Sequence, residues 1–504
     1  MTKILTSALA LSLALASSPA LAAGKTVTVA YPSDFQSLDP AIGYDTQNWP
    51  VIHALFVTLL TYDAGTKLKL WGATDLGTVS PDGKTYTFRL KKGITFANGE
   101  PTDAAFKYSF ERVLNPKTKS PQGGKGGWFG GLVGADAFVD GKAKSVSGIR
   151  VLDPYTIQFQ LKSPDRTFLN VLATPFASAV PKKAAEQSGS DFSHHIVANG
   201  PFLFGSWVPG QKLTLIRNPK YFDPASAARV EQIDFQLGLS EQVSLLRAQT
   251  GQVDVLGNGI PSAQFAAVST NPKFKPYIKS LVQVGTFYVF MNTQKAPFDN
   301  KLVREAVSLA IDKKRMVQLV NGRGKATGQA LAPGLPGYDP SVPVCTQDIP
   351  KAVALLKWAG YTDRGDLTFI TTSDESHPKL SQAVQQQLAA IGMKVSIKSL
   401  PNAEYINTIT TPGSAAIGIS AWFQDYPDPS DFLDVLFESA HYQPGGFNPS
   451  GYKNPAFDAQ LKKLRGCRLR RRCPAIRKRR RSCWPIFPGC RCTTRSSTIS
   501  PTRA

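Results

Sequence analysis

The chain has 504 residues, more than one hydrophobic core usually supports, and at roughly 150 residues per domain it predicts two or three domains. With 42% hydrophobic and 19% charged residues, its composition excludes a disordered chain and a membrane-embedded bundle. The formal charge of +22 suggests a nucleic-acid partner, but residues 465–504 hold twelve Arg and one Lys without an acid, so the first 464 residues carry only 22 − 13 = +9 and no nucleic acid is expected for them.

The chain opens with Lys3, a Leu/Ala-rich stretch and Ala20-Leu21-Ala22, the small-x-small pattern of a signal-peptidase site. A signal peptide over residues 1–22 is expected, because Pro19 and the small residues would end a buried helix badly. No cysteine follows to take a lipid, and no later apolar run reaches about 18 residues, so a soluble periplasmic protein is expected. Cys345 stands alone in the body while five more cysteines crowd the tail, so the body has no disulfide of its own.

Residues 26–31 alternate as a strand, followed by loop at PSDFQSLDP. After the turn Pro81-Asp82-Gly83, residues 84–90 alternate again, with Tyr86, Phe88 and Leu90 on one face. Thr102 is placed to cap a helix bearing Phe106, Phe110 and Val113 or Leu114. Strands are predicted at 155–161 and 213–217. Helices are predicted at 302–311, with Leu302, Ala306, Val307 and Ala310 on one face and Asp299 as cap, at 349–358 before Gly360, and at 378–391 before Gly392, with a strand at 393–400. Strands alternating with helices in both halves predict α/β lobes with parallel or mixed sheets.

Four ordered stretches carry a resemblance. SPDGKTYTFRLKKGITFANGEPTDAAFKYSFER (80–112) is similar to a DG-x-x-YTF-x-L pattern with its helix entry, and NGPFLFGSWVPGQKLTLIRNPKYF (199–222) to a G-T-G-P to R-N-x-x-Y pattern, with Asn199 where Thr is usual. FMNTQKAPFDNKLVREAVSLAIDKKRMV (290–317) resembles an N-x-x-x-x-P to V-R-x-A-x-x-x-A-I-D pattern, and AWFQDYPDPSDFLDVLF (421–437) a W-x-x-D-x-x-D-P element. These are similar to the extracellular solute-binding proteins of family 5, the peptide-binding components of ABC importers; a departure is Leu76-Gly77-Thr78, where the family has a Trp.

The resemblance implies an α/β two-lobed clamshell of the type II periplasmic-binding-protein class, with an extra domain inserted in lobe I. Lobe I would comprise residues 24–56 and 190–278, its inserted domain 57–189, and lobe II 279–464. The implied protein is a monomeric periplasmic carrier that captures short peptides between its lobes and delivers them to a membrane permease. The alternative is the same fold with an oligosaccharide, opine or metal complex. No enzyme is expected, since no G-x-S-x-G, HExxH or Walker loop occurs. No cofactor is expected either: the five His show no metal-ligand spacing, and Gly322, Gly324 and Gly328 read as a flexible loop.

A peptide carrier must recognise what peptides share, above all the α-ammonium group, and a carboxylate at the cleft suits that task because charge-assisted hydrogen bonds are strong. On the residues alone, Tyr426-Pro427-Asp428-Pro429 reads as a turn with Asp425 as its cap. The resemblance instead assigns Asp425 to the ligand's ammonium group and Trp422 to an aromatic wall beside the ligand, and Tyr426 is a third ligand-binding candidate.

The tail admits three readings: a basic RNA-binding arm using Arg471, Arg472 and 477–481; a cysteine-ligated metal knuckle, which lacks paired C-x-x-C spacing; and an out-of-frame translation. Back-translating residues 476–495 and skipping two bases permits PQAEAQLLADFPGLPLYYT, similar to the family's closing stretch, so residues 465–504 are expected to be out of frame and disordered.

Overall fold

The computed structural model describes residues 25–465 and 491–499, apart from 64–65, 103–104, 364, 366 and 374–375. The expected signal peptide, 1–22, lies outside the described residues.

Strand β1 is Thr26–Ala30, and β2 (Leu60–Tyr62) pairs with β3 (Leu68–Leu70) in a ribbon. β4 (Thr78–Val79), β5 (Thr85–Arg89), β6 (Ile149–Asp153) and β7 (Thr156–Gln160) form an antiparallel sheet in the order β4-β5-β7-β6. β8 (Phe202–Val208), β9 (Lys212–Arg217), β10 (Gln232–Gln236) and β11 (Val255–Leu256) join β1 in a sheet ordered β11-β1-β10-β9-β8, where β1 runs parallel to both β10 and β11.

The rest of the chain builds a mixed sheet from β12 (Ile278–Val282), β13 (Gly285–Met291), β14 (Gly324–Thr327), β15 (Leu367–Thr372), β16 (Val395–Leu400), β17 (Ile417–Phe423) and β18 (Arg491–Ile499). Its order is β12-β18-β13-β17-β15-β16, with β14 on β18. All seven residues of β13 are buried, because apolar clusters pack on both faces of this sheet. One holds Phe298, Val307, Phe369 and Leu388; the other holds Phe290, Ile370 and Phe432. That explains why GTFYVFM reads as a continuous apolar run rather than an alternating one.

Tyr86, Phe88 and Leu90 face the core together, as period-two alternation requires. The helix Ile349–Trp358 is followed by Gly360 at φ 63°, and His377–Ala389 by Gly392 at φ 80°. Both glycines take the left-handed conformation that closes a helix at little cost. Three local expectations change. The helix Lys301–Ala310 is capped by Asn300, whose side chain accepts from the Leu302 N–H, and not by Asp299. Its buried face runs through Val303, Ala306, Val307 and Ala310, leaving Leu302 half-buried. Gly324 opens a strand rather than a loop, since β18 offers it an antiparallel partner. Thr102 is buried, and its hydroxyl accepts from the Asn199 amide at 3.2 Å.

That last bond ties together two of the motif stretches. Asn199 also accepts from the Val57 N–H at 2.9 Å, so it bridges three segments. Gly200 beside it is required by space, because a Cβ there would lie 2.5 Å from the Ala54 carbonyl oxygen. Asp39, 2% exposed, receives both terminal nitrogens of Arg112, a bidentate pair that fixes the first loop to the helix Ala105–Leu114.

The tail differs from expectation at two places. Arg465 completes the helix Pro455–Arg465, and its guanidinium pairs with Asp434 at 2.6 Å and with Glu438. Two sheltered carboxylates supply the physical reason that this residue belongs to the fold. Residues 491–499 run as β18 and so are not disordered in backbone: β12, β13 and β14 all offer unpaired edges to a strand at that place. The remaining tail residues, 466–490 and 500–504, lie outside the described residues.

Candidate functional site

Strand β17 carries Trp422 near its C-terminal end, and the chain then turns through Asp425 and Tyr426 into the helix Ser430–Phe437. These three predicted residues therefore cluster, but they face different surroundings. Trp422 is 7% exposed and packs on Phe447, ring centres 5.2 Å apart. Tyr426 is buried in the core of the β4–β7 domain, against Trp128 at 6.0 Å, so it is a packing residue joining two parts of the molecule.

Asp425 is half-buried as a residue, and burial of its carboxyl pushes it up to about 7. One oxygen, Oδ2, accepts from the Tyr44 hydroxyl at 2.6 Å, across 381 residues of sequence, and that bond lowers its pKa in part. Tyr44 itself is fixed by rings on several sides, Trp49 at 5.8 Å, Trp128 at 6.1 Å, Phe176 at 5.5 Å and Phe447 at 6.1 Å.

Behind Asp425 lies Asp431, 0% exposed, whose Oδ2 accepts the Asp425 backbone N–H at 2.9 Å and whose Oδ1 has no hydrogen-bond partner. Burial first, and the Asp425 charge second, push the Asp431 carboxyl well above the usual range. Two carboxylates so placed cannot both ionise cheaply, and the inner one keeps the proton. Asp428, three residues along, pairs with Arg166 at 2.9 Å.

A cavity of about 370 Å³ reaches the end of β17 at Phe423, but Trp422, Asp425, Tyr426 and Tyr44 do not line it. Tyr31, Gln47, Glu241 and Asn258 line it from the side of the β1 sheet, and Tyr288, Lys313, Lys379 and Phe423 from the side of the β13 sheet. Phe423 places its wall within two residues of Asp425, a span of at most ~7 Å along the chain. On one rim Arg323 donates to the Ile260 carbonyl at 3.0 Å, and Asn321 to the Ser262 carbonyl. Residues 260–262 and 321–323 thus touch at this rim.

Tyr44, Asp431, Arg166 and the cavity-lining side chains were not found by sequence reasoning. The signal for Tyr44 and Arg166 is tertiary, since neither lies near residue 425 in sequence; Asp431 sits within the fourth motif stretch, but only its burial marks it.

The sequence model for bacterial extracellular solute-binding proteins, family 5, matches residues 67–444. The chain belongs to that family. Among curated members, the glutathione-binding protein GsiB of Salmonella paratyphi A is 29% identical over 460 residues, covering 90% of this chain and 85% of GsiB. The periplasmic oligopeptide-binding protein OppA of Salmonella typhimurium is 29% identical over 447 residues, covering 84% and 79%. The solved murein tripeptide binding protein MppA of Escherichia coli superimposes with a TM-score of 0.82 at 25% identity, over 95% of this chain and 94% of that one. The α/β clamshell expected from the motifs is the fold of this family 5 protein. No described helix is long and apolar enough to cross a membrane.

Proposed function

We propose that this family 5 protein is the periplasmic, monomeric binding component of an ABC importer, capturing short peptides that carry a free α-amino group and delivering them to a membrane permease. The observation that carries this reading is Asp425: a carboxylate on the loop that follows β17, two residues beyond Phe423 of the cavity wall, with one oxygen held by the Tyr44 hydroxyl at 2.6 Å across 381 residues of sequence. Trp422 and Phe447 supply apolar surface behind it. Lys379, at the cavity, suits the negative end of a zwitterion. Tyr426 serves packing more than ligand contact in this reading.

The domain limits go with it: lobe I at 24–56 and 190–278, the inserted domain at 57–189, lobe II from 279, and a signal peptide at 1–22 removed on export. Beyond Arg465 the chain is out of frame in this reading; RCTTRSSTI at β18 lacks the apolar character of its neighbour β13.

Native mass spectrometry of the chain purified from a periplasmic extract, followed by denaturing release, tests the ligand. Short peptides in the released material are expected. A saccharide, an opine or a metal complex retained through washing would overturn the peptide reading and the role of Asp425.

A further inference from the structure

Tyr44 lies between β1 and β2, far in sequence from the loop that carries Asp425, and its hydroxyl reaches Asp425 Oδ2 at 2.6 Å. A phenol has one proton to donate, and here it is committed. The ring has little freedom to turn away, because Trp49, Trp128, Phe176 and Phe447 surround it. The backbone N–H of Asp425 is committed as well, to Asp431.

We infer that Tyr44 is a positioning residue for ligand capture: from the opposite lobe it holds one carboxylate oxygen of Asp425 and turns the other toward the ligand's ammonium group, so the acceptor is complete only when the lobes are closed. This rests on the reading of Asp425 as the ammonium acceptor. It adds that recognition of the ammonium group and closure of the clamshell are one event, since opening the cleft would remove the Tyr44 donor from a carboxylate that burial already disfavours.

The charged and titratable groups around Asp425 are few. Asp431 lies behind it, Tyr44 faces it from the other lobe, and Tyr426 adjoins it in sequence. Asp428 is the next carboxylate, and Arg166 answers it. Tyr44 is the only one of these that donates a side-chain hydrogen bond to Asp425 among the described contacts. Loss of that donor favours the protonated carboxyl, which cannot pair with an ammonium ion.

The test uses the full chain and a tripeptide library, free or N-acetylated, with bound mass read by native mass spectrometry from about pH 5.5 to about pH 8.5, the range that spans Asp425 and the peptide amine. Tyr44→Phe keeps the ring and removes the donor. It is expected to weaken free-amino tripeptides about fivefold at about pH 6.5, to leave acetylated ones within about twofold, and to move the acid limb of the profile to higher pH. Site-specific 3-fluorotyrosine at position 44, a stronger donor of the same shape, should move that limb the other way, which guards against a variant that merely fails to fold. An unchanged limb in both proteins overturns the inference about Tyr44. If Asp425→Asn binds free and acetylated tripeptides in the same ratio as the parent chain, or if the parent binds no library member, the acceptor reading itself falls.

Discussion

Arg166 and Asp428 are joined at 2.9 Å across 262 residues of sequence, one from the domain built on β4–β7 and the other from the loop that follows β17. The same loop buries Tyr426 in that domain's core and reaches Tyr44 through Asp425. Three residues of this loop, Asp425, Tyr426 and Asp428, are thus held by Tyr44, Trp128 and Arg166 from the first part of the chain.

Replacing Arg166 with Met should loosen the fastening without touching the ligand site. Asp428, 8% exposed, would keep only the Ser430 N–H at 3.0 Å, and an undercompensated carboxylate costs about 1–3 kcal/mol. Part of that is recovered as Arg166 is itself partly exposed. The expected outcome is a larger radius of gyration for the unliganded protein in X-ray scattering, and weaker binding of free and N-acetylated peptides by the same factor. Discrimination between the two would point to a direct ligand role for Arg166.

Asp425→Ala should weaken peptides with a free N-terminus far more than N-acetylated ones. Truncating one partner of a sheltered charge pair costs about 2–5 kcal/mol, so a difference of two orders of magnitude is expected in calorimetric titrations. Equal losses for both ligand types would rule out the assignment.

Affinity should depend on pH in a bell. The ammonium group needs Asp425 ionised, so binding strengthens as pH rises through about 7 and releases a proton below that value. It weakens again once the peptide amine, with a pKa of about 7.7–8.0, loses its proton. Titrations in buffers of different ionisation heat measure the proton release directly, and uptake of a proton near pH 6 would contradict the prediction.

Stability of the unliganded protein should run in the opposite sense. Asp425 and Asp434 are each raised by burial to about 7, Asp434 despite its ion pair with Arg465. A carboxyl whose folded pKa lies above its unfolded value binds more protons when folded, so its contribution is lost as pH rises from the usual carboxylate range through about 7. Thermal melts without ligand should therefore show a falling Tm across that interval, and a free-amino peptide should cancel much of the fall.

Restoring the alternative frame after Arg465 should raise Tm. The slot between β12 and β13 would then receive a strand resembling LPLYYT in place of RCTTRSSTI, and apolar burial in a central strand is worth about 1.5–3 kcal/mol per large side chain. Differential scanning calorimetry of the two chains compares them; a restored chain that melts no higher would count against the out-of-frame reading.

Much of the fold was legible from one dimension. The alternation of residues 85–89, the period of the helix Ile349–Trp358 and the glycines at 360 and 392 are local signals, set by backbone geometry within a few residues. Cap choice between Asp299 and Asn300 was not, because adjacent residues of similar chemistry differ only in the φ/ψ each takes up. Asp425 and Trp422 were legible through a motif, whereas their environment was invisible.

The family, the α/β alternation and the loop that holds Asp425 are written in the sequence, since each depends on short-range pattern. Folding alone brings the Tyr44 hydroxyl to Asp425 Oδ2, the Asp425 N–H to Asp431, and Arg166 to Asp428. Hydrogen bonds and ion pairs act over about 3 Å, and no periodicity along a chain records which residues folding will bring that close across hundreds of positions.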